Sequence, residues 1–362
     1  MIDFRRSFRA WLEDRLRIPA REQLNSPLNE ARIQRVIIVG KFPNPTYEYY
    51  FAARLAARGM PRYETIDFRD FNEASIEPAG VFLIFVRYST KPIIKWVNAN
   101  RSKLAGVGVF WDDDISAVIL GQDATARYRY RLYRDAVAPF KCLKTALDKV
   151  WVSTPQLAQQ LSHLRPRVLP PAPSDEIIRP RPNHNKVTNV AGHILIAYHA
   201  TDVHVQEHAF LFDVIKVVLD ARPNVSFEVY AGKTTRSLWC SLNSSRVFIK
   251  EHVSWPAYLE ANSGRFIDIM LVPLAPHRAN ASRSSTKRID VARVHAAGLF
   301  SDCAAYEEKG KDEILVPFVR STWINSLLAL IDQPKLRVSA ASATRKRVEE
   351  MIELGGLGLE IK

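Results

Sequence analysis

A chain of 362 residues, 47% hydrophobic and 25% charged, has the composition of a globular protein and is long for a single core, so two domains are expected. No apolar run approaches the roughly 20 residues that cross a bilayer, and Met1-Ile-Asp-Phe-Arg-Arg lacks the apolar centre of a secretory signal. Three scattered cysteines (Cys142, Cys240, Cys303) point to reduced thiols in a cytoplasmic protein, and the net charge of +13 favours an anionic partner.

Taken in order, residues 1–34 form a basic amphipathic helix, with Phe4, Phe8, Trp11, Leu12 and Leu16 apolar and Arg5, Arg6, Arg9, Arg15 and Arg17 basic. Such a helix lies on an anionic membrane or packs on the domain that follows. A buried strand at 36–39 ends at Gly40, and a helix is predicted over about 47–58. Strands follow at 63–68 and 81–86, then a helix near 91–103, then strands at 107–111, 149–154 and 168–170. Tyr128-Arg-Tyr-Arg-Leu-Tyr-Arg134 interleaves aromatic and basic residues, which suits either base stacking or a solvated helix face with snorkelling arginines. No nucleic-acid module accompanies it, so nucleic acid is not an expected partner. The alternation predicts a doubly wound parallel sheet over 35–170.

Proline-rich sequence then marks a linker, assigned to 171–186. Alternation resumes over 187–335, with strands at 194–198, 225–230, 247–249 and 267–272 and helices near 206–221, 255–262, 285–297 and 319–333. A polar, basic helix over about 338–354 occupies the last segment, 336–362. Two α/β halves around one linker predict a cleft between the carboxyl ends of two sheets, where ligands of such sheets bind.

The stretch from Asn280 to Ala292 carries the most chemistry. It follows the 267–272 strand and opens a helix expected to stop at Gly298 in the left-handed conformation. Ser284, Ser285 or Thr286 caps this helix, and Arg283 and Lys287 add positive charge to an N-terminus suited to phosphate. Asp290 lies three residues beyond Lys287 on the same face, placed either to bind sugar hydroxyls or to pair with Lys287. The combination describes a nucleotide-sugar site.

Four segments resemble the GT-B glycosyltransferases, nearest the family-4-like bacterial enzymes. They are Trp111-Asp-Asp-Asp-Ile115, Val150-Trp-Val-Ser-Thr-Pro-Gln-Leu-Ala158 with Val168-Leu-Pro170, Ile194 to His204, and the stretch from Asn280 to Ala292 with Gly298, Ser301 and Tyr306 after it. The resemblance implies an α/β protein of the GT-B fold, with two Rossmann-like doubly wound domains facing an interdomain cleft. It implies metal-independent transfer of a sugar from a nucleotide-sugar donor, a substrate and not a cofactor, to a hydroxyl of a glycan or lipid-linked acceptor. Surface polysaccharide or glycolipid synthesis at the inner face of the membrane is the setting it suggests.

By that resemblance Arg283 and Lys287 neutralise the leaving diphosphate and Asp290 holds the donor ribose, with Asn280, Ser284, Ser285 and His199 completing the donor site. His199 would donate to a phosphate oxygen, and His204 in the same donor loop is a catalytic candidate. Gly40 and Lys41 stand in the place of the family's glycine-rich acceptor loop, and Arg87 follows the third strand towards the same site. Asp112 and Asp113 are candidate bases for the acceptor hydroxyl, and the run through Asp114 can also cap a helix beginning at Ile115. Magnesium at these aspartates is not expected, since the GT-B arrangement that the resemblance implies lacks that role, and zinc at His199, His204 and His208 is not expected, since only His204 and His208 share a helical face. Two departures stand out. Ser282 occupies the position where many retaining members carry Glu, and the donor loop offers histidines where they carry Arg and Lys. The alternative is therefore a catalytically degenerate scaffold that binds nucleotide or glycan.

Overall fold

The computed structural model describes residues 4–21, 33–121, 124–179, 192–201, 203–307 and 310–361. The chain divides into two compact units, one of Met1–Pro170 with Leu357–Lys362 and the other of Pro171–Gly356. Of the expected linker, 180–186 lie outside the described residues, while Ala172 and Ile178 are buried.

The first unit holds six parallel strands: β1 (Arg35–Gly40), β2 (Arg62–Asp67), β3 (Val81–Val86), β4 (Gly106–Trp111), β5 (Lys149–Val152) and β6 (Arg167–Val168), in the order β2-β1-β3-β4-β5-β6. Strands β1, β3 and β4 are apolar on both faces, as a parallel sheet covered by helices on each side requires. One face (Ile37, Val39, Leu83, Phe85, Val107, Val109) packs on Ile93, Ile94, Trp96 and Val97 of the helix Lys91–Asn100. On the other face Phe110 meets the rings of Tyr50 and Phe51 at 4.7 and 5.2 Å. Glycines at 106 and 108 make room for large neighbours, since a Cβ there would lie 2.4 Å from the Phe82 ring and 2.5 Å from the Trp151 ring. The helix expected over 47–58 is broken into Pro45–Tyr50 and Ala52–Ala56 at Phe51. The strand expected to reach 154 stops at Val152, because the Ser153 hydroxyl donates to the Asp112 carbonyl and Thr154 caps the helix Pro155–Gln160.

The second unit repeats the scheme with β7 (Ile194–Tyr198), β8 (Val225–Tyr230), β9 (Val247–Lys250), β10 (Ile269–Val272), β11 (Ala297–Ser301) and β12 (Ile314–Val316), ordered β12-β11-β10-β7-β8-β9. Read from the β9 edge this is the 3-2-1-4-5-6 order of dinucleotide-binding folds, with the reversal between β7 and β10. The helix Val205–Ala221 buries Phe210, Leu211, Val214, Ile215 and Val218 against Trp239, Trp323 and Leu327. His208, on the same helix, accepts a hydrogen bond from Trp239 Nε1 at 2.9 Å, and burial pushes its pKa down to about 4.

Several boundaries need correction. The helix expected over 285–297 is only Lys287–Arg293, and Gly298 lies inside β11 instead of ending a helix. Its role is close packing, since a Cβ there would meet the Phe300 ring at 2.2 Å. The left-handed residue is His295, at φ 54°. Thr286 takes the N-cap position without a side-chain cap bond. Strands β11 and β12 and the helix Lys233–Cys240 were not anticipated, and the last long helix begins earlier than expected, at Pro334.

One ion pair anchors the helix Lys287–Arg293. Arg288, 1% exposed, reaches Glu313 through Nε–Oε1 and Nη2–Oε2 contacts of 2.8 Å each, and its guanidinium lies 5.1 Å from the Tyr306 ring centre. Removing one partner leaves a buried charge without compensation. Glu313→Ala is therefore expected to lower unfolding stability by about 3–5 kcal/mol, read from urea unfolding curves; a loss below about 1 kcal/mol would deny the pair its anchoring role.

Candidate functional site

Each sheet gathers polar residues at the carboxyl ends of its strands, beside the point where strand order reverses. In the second unit the cluster starts at β7. The next residue, His199, is buried with both ring nitrogens engaged: Nδ1 lies 2.9 Å from the Tyr258 hydroxyl and Nε2 lies 3.0 Å from Glu228 Oε1. Arg265 closes the network with bonds of 2.9 and 3.0 Å to the two Glu228 oxygens. Burial opposes ionisation of Glu228, but hydrogen bonds from His199 and Arg265 outweigh it and hold its pKa at about 2. Burial also pushes the His199 pKa down. The expectation that His199 donates to phosphate is thus corrected: its ring ties β7 to β8 and to the helix Trp255–Ala261, with no ring nitrogen left over.

The backbone of His199 does join the site. Lys287 Nζ donates to the His199 carbonyl at 3.0 Å and to Asp290 Oδ2 at 2.8 Å, so the start of its helix is tied to the end of β7. Asp290 is buried, and Arg293 Nη1 lies 3.9 Å from its second oxygen. Of the two roles read for Asp290, pairing with Lys287 is the contact present. Asn280 is buried too and faces inward: Nδ2 donates to Glu207 Oε1 (2.6 Å) and to the Ala275 carbonyl (3.0 Å), while Oδ1 accepts from Arg283 Nε at 3.1 Å. Asn280 therefore positions Arg283. Ser284 and Ser285 are half-buried in the turn before Lys287, and Ser282 is fully buried.

His204 forms the N-cap of the helix Val205–Ala221 and is 9% exposed, with Nδ1 3.5 Å from Glu207 Oε2. Burial first, then Arg283 and Lys287, push its pKa down. Arg283, Lys287 and His204 are thus electrostatic neighbours. Glu207 was missed in the sequence, although a Glu three residues after a His on a helix start is a readable signal. It is fully buried, its Oε1 also accepts from Ala275 N at 3.0 Å, and its pKa is held at about 2 because His204 and that backbone bond outweigh burial.

In the first unit, Gly40 ends β1 where a Cβ would sit 3.3 Å from Val86, and Lys41 is exposed in the turn that follows. Arg87 follows β3 at φ 66°, a left-handed conformation uncommon for a branchless but bulky side chain. Its guanidinium bonds Asp112 Oδ1 through Nε at 2.8 Å and Asp113 Oδ2 through Nη2 at 2.9 Å. Thr46 donates to Asp112 Oδ2 at 2.7 Å. Arg87 thus holds the two aspartates through Nε and Nη2. Asp114 caps the helix Ile115–Leu120 by accepting from Ala117 N at 2.9 Å. One cation against two carboxylates suits hydroxyl groups better than phosphate. Among the described residues no group of three or more His, Cys, Asp or Glu is arranged to hold a metal ion.

No family profile and no curated protein matches the sequence. Solved structures do match the fold. S. aureus TarM, solved with UDP and α-GlcNAc-glycerol, is 12% identical at a TM-score of 0.51 over 78% of this chain and 56% of that chain, so the chain spans little more than half the length of TarM. The UDP-forming α,α-trehalose-phosphate synthase of Burkholderia vietnamiensis is 12% identical at a TM-score of 0.59, over 90% of this chain and 96% of that one. WaaG, a glycosyltransferase of lipopolysaccharide biosynthesis, is 17% identical at a TM-score of 0.56, over 88% and 97%. With two six-stranded parallel sheets and these neighbours, the chain has the GT-B glycosyltransferase fold.

Proposed function

We propose that the chain is a metal-independent glycosyltransferase moving a sugar from a nucleotide-sugar donor to a hydroxyl of a glycan or lipid-linked acceptor. One observation carries the reading: Arg283, Lys287 and His204 gather beside the end of β7, at the strand-order reversal of the second sheet. The fold likeness to TarM with UDP and to a UDP-forming synthase supports a nucleoside diphosphate as the anion these cations meet. Preorganised cations at the leaving diphosphate would provide the largest catalytic contribution. In the first unit Asp112 and Asp113, held by Arg87, offer acceptors to the hydroxyls of the second substrate. Likeness to WaaG, a glycosyltransferase of lipopolysaccharide biosynthesis, favours surface polysaccharide or glycolipid as the setting.

Membrane contact belongs to the same proposal. No helix among the described residues is long and apolar enough to cross a membrane. The helix Phe4–Leu16 leaves Trp11 51% exposed with the Arg15 guanidinium 5.0 Å over its ring, and Arg17 and Arg21 are exposed beyond it. An aromatic and basic surface of this kind suits the interface of an anionic bilayer, and a cytoplasmic protein acting at the inner face of a membrane is the localisation we propose.

A second reading, the non-catalytic scaffold, is favoured by Ser282, buried where many retaining enzymes of the resembling family carry Glu. Release of UDP from a UDP-sugar that depends on added acceptor would exclude the scaffold; binding without turnover across donors would favour it. Calorimetry with UDP is expected to show Lys287→Ala binding about tenfold to a hundredfold more weakly, the worth of one charge-assisted hydrogen bond. Equal affinity in the two proteins removes Lys287 from the donor site. Co-sedimentation with phosphatidylglycerol vesicles should fall in Trp11→Ala and Arg15→Ala and fade with added salt; equal sedimentation with neutral phosphatidylcholine vesicles would contradict the membrane proposal.

A further inference from the structure

Glu207 is out of place in an anion site. A fully buried carboxylate joined to Arg283 through Asn280 repels a phosphate by the same law that makes that cation attract it. Half of its bonding is accounted for, since Oε1 accepts from Ala275 N and Asn280 Nδ2 and through Asn280 fixes Arg283. The other oxygen, Oε2, is buried without a hydrogen-bond partner, and His204 Nδ1 stands 3.5 Å away from it. Leaving a buried carboxylate oxygen unsatisfied is costly, and the arrangement calls for a donor that arrives under a particular condition.

We infer that His204 and Glu207 form a carboxylate–imidazole dyad that takes up one proton when a diphosphate settles against Arg283 and Lys287. The inference rests on the donor-site reading above. The groups facing His204 are Glu207 and His208 on its own helix, Arg283 in the turn after Arg278–Ala281, and Lys287 at the start of the next helix. Burial and the two cations push the imidazole's pKa down against the pull of Glu207, and Nδ1 stands 3.5 Å from Oε2. A diphosphate reverses the field at the ring. The imidazole then takes a proton from solvent, Nδ1–H closes onto Glu207 Oε2, and Nε2–H becomes a donor for a phosphate oxygen. The one bond formed is N–H on the imidazole, the one broken is the O–H of the solvent donor, and the site gains a single positive charge. Glu207 is a positioning residue in this scheme, acting on the ligand only through His204 and through Asn280 and Arg283.

The test is calorimetry of UDP binding in PIPES and Tris buffers at neutral pH, where the difference in observed enthalpy reports the protons exchanged. The phosphate groups of UDP titrate alike in every variant and cancel in the comparison. Wild type is expected to take up about one proton more per UDP bound than His204→Gln, with Glu207→Gln in between. Equal proton counts for wild type and His204→Gln overturn the dyad and leave the donor site standing, even if affinity drops, because a merely structural histidine changes affinity without changing proton count. Failure of the wild type to bind either UDP or GDP overturns the donor-site reading and the dyad with it.

Discussion

The buried pair of Arg288 and Glu313 is the constraint on which the geometry at the end of β7 depends. Such a pair often adds little stability compared with apolar residues of the same volume, because two charges lose their water. What a bidentate fork supplies is direction. With Arg288 held by two parallel bonds and packed beside Phe300 and Tyr306, its helix has one rotation about its own axis. That rotation brings Lys287 to the His199 carbonyl and keeps Asp290 within reach of Lys287. The chemistry at the end of β7 is thus set by a contact in the core behind it.

The same logic runs through the second unit. Glu207, Glu228, Asp290 and Glu313 are all buried, and each faces a basic group: His204, Arg265, Lys287 and Arg288. These pairs form a frame, Lys287 is itself part of it, and Arg283 is held beside it by Asn280. The first unit inverts the balance, with Arg87 facing both Asp112 and Asp113. The proposed function takes up this contrast, with an anion at the second unit and hydroxyl groups at the first.

Ten of the twelve strands among the described residues were legible in the sequence, because strands buried on both faces read as short apolar runs bounded by turns. Strand β11 was not, since Ala297-Gly298 continues a helical spacing from Ala292, and Gly298 looks like a helix stop until the Phe300 ring is seen against it. At the site, residue types were legible and their partners were not. Lys287 and Asp290 could be paired by spacing along one helix. Nothing local told that His199 meets Glu228 and Tyr258, or that Asn280 turns inward to Glu207, because those contacts join residues 29, 59 and 73 positions apart. Long-range pairing of polar groups carries no periodicity for a sequence to display.

The segment after Gly356 belongs to the first unit: Leu359 and Ile361 are buried, Glu360 pairs with Arg167, and a Cβ on Gly358 would touch Met60 at 3.3 Å. The first unit is therefore discontinuous in sequence, and the second is an insertion within it. Two covalent crossings join the units, near Pro170 and near Leu357. A single break in the proline-rich crossing leaves them in one covalent piece. During synthesis, moreover, the first unit stays incomplete until the second has been made, so its final packing waits on the segment that follows Gly356.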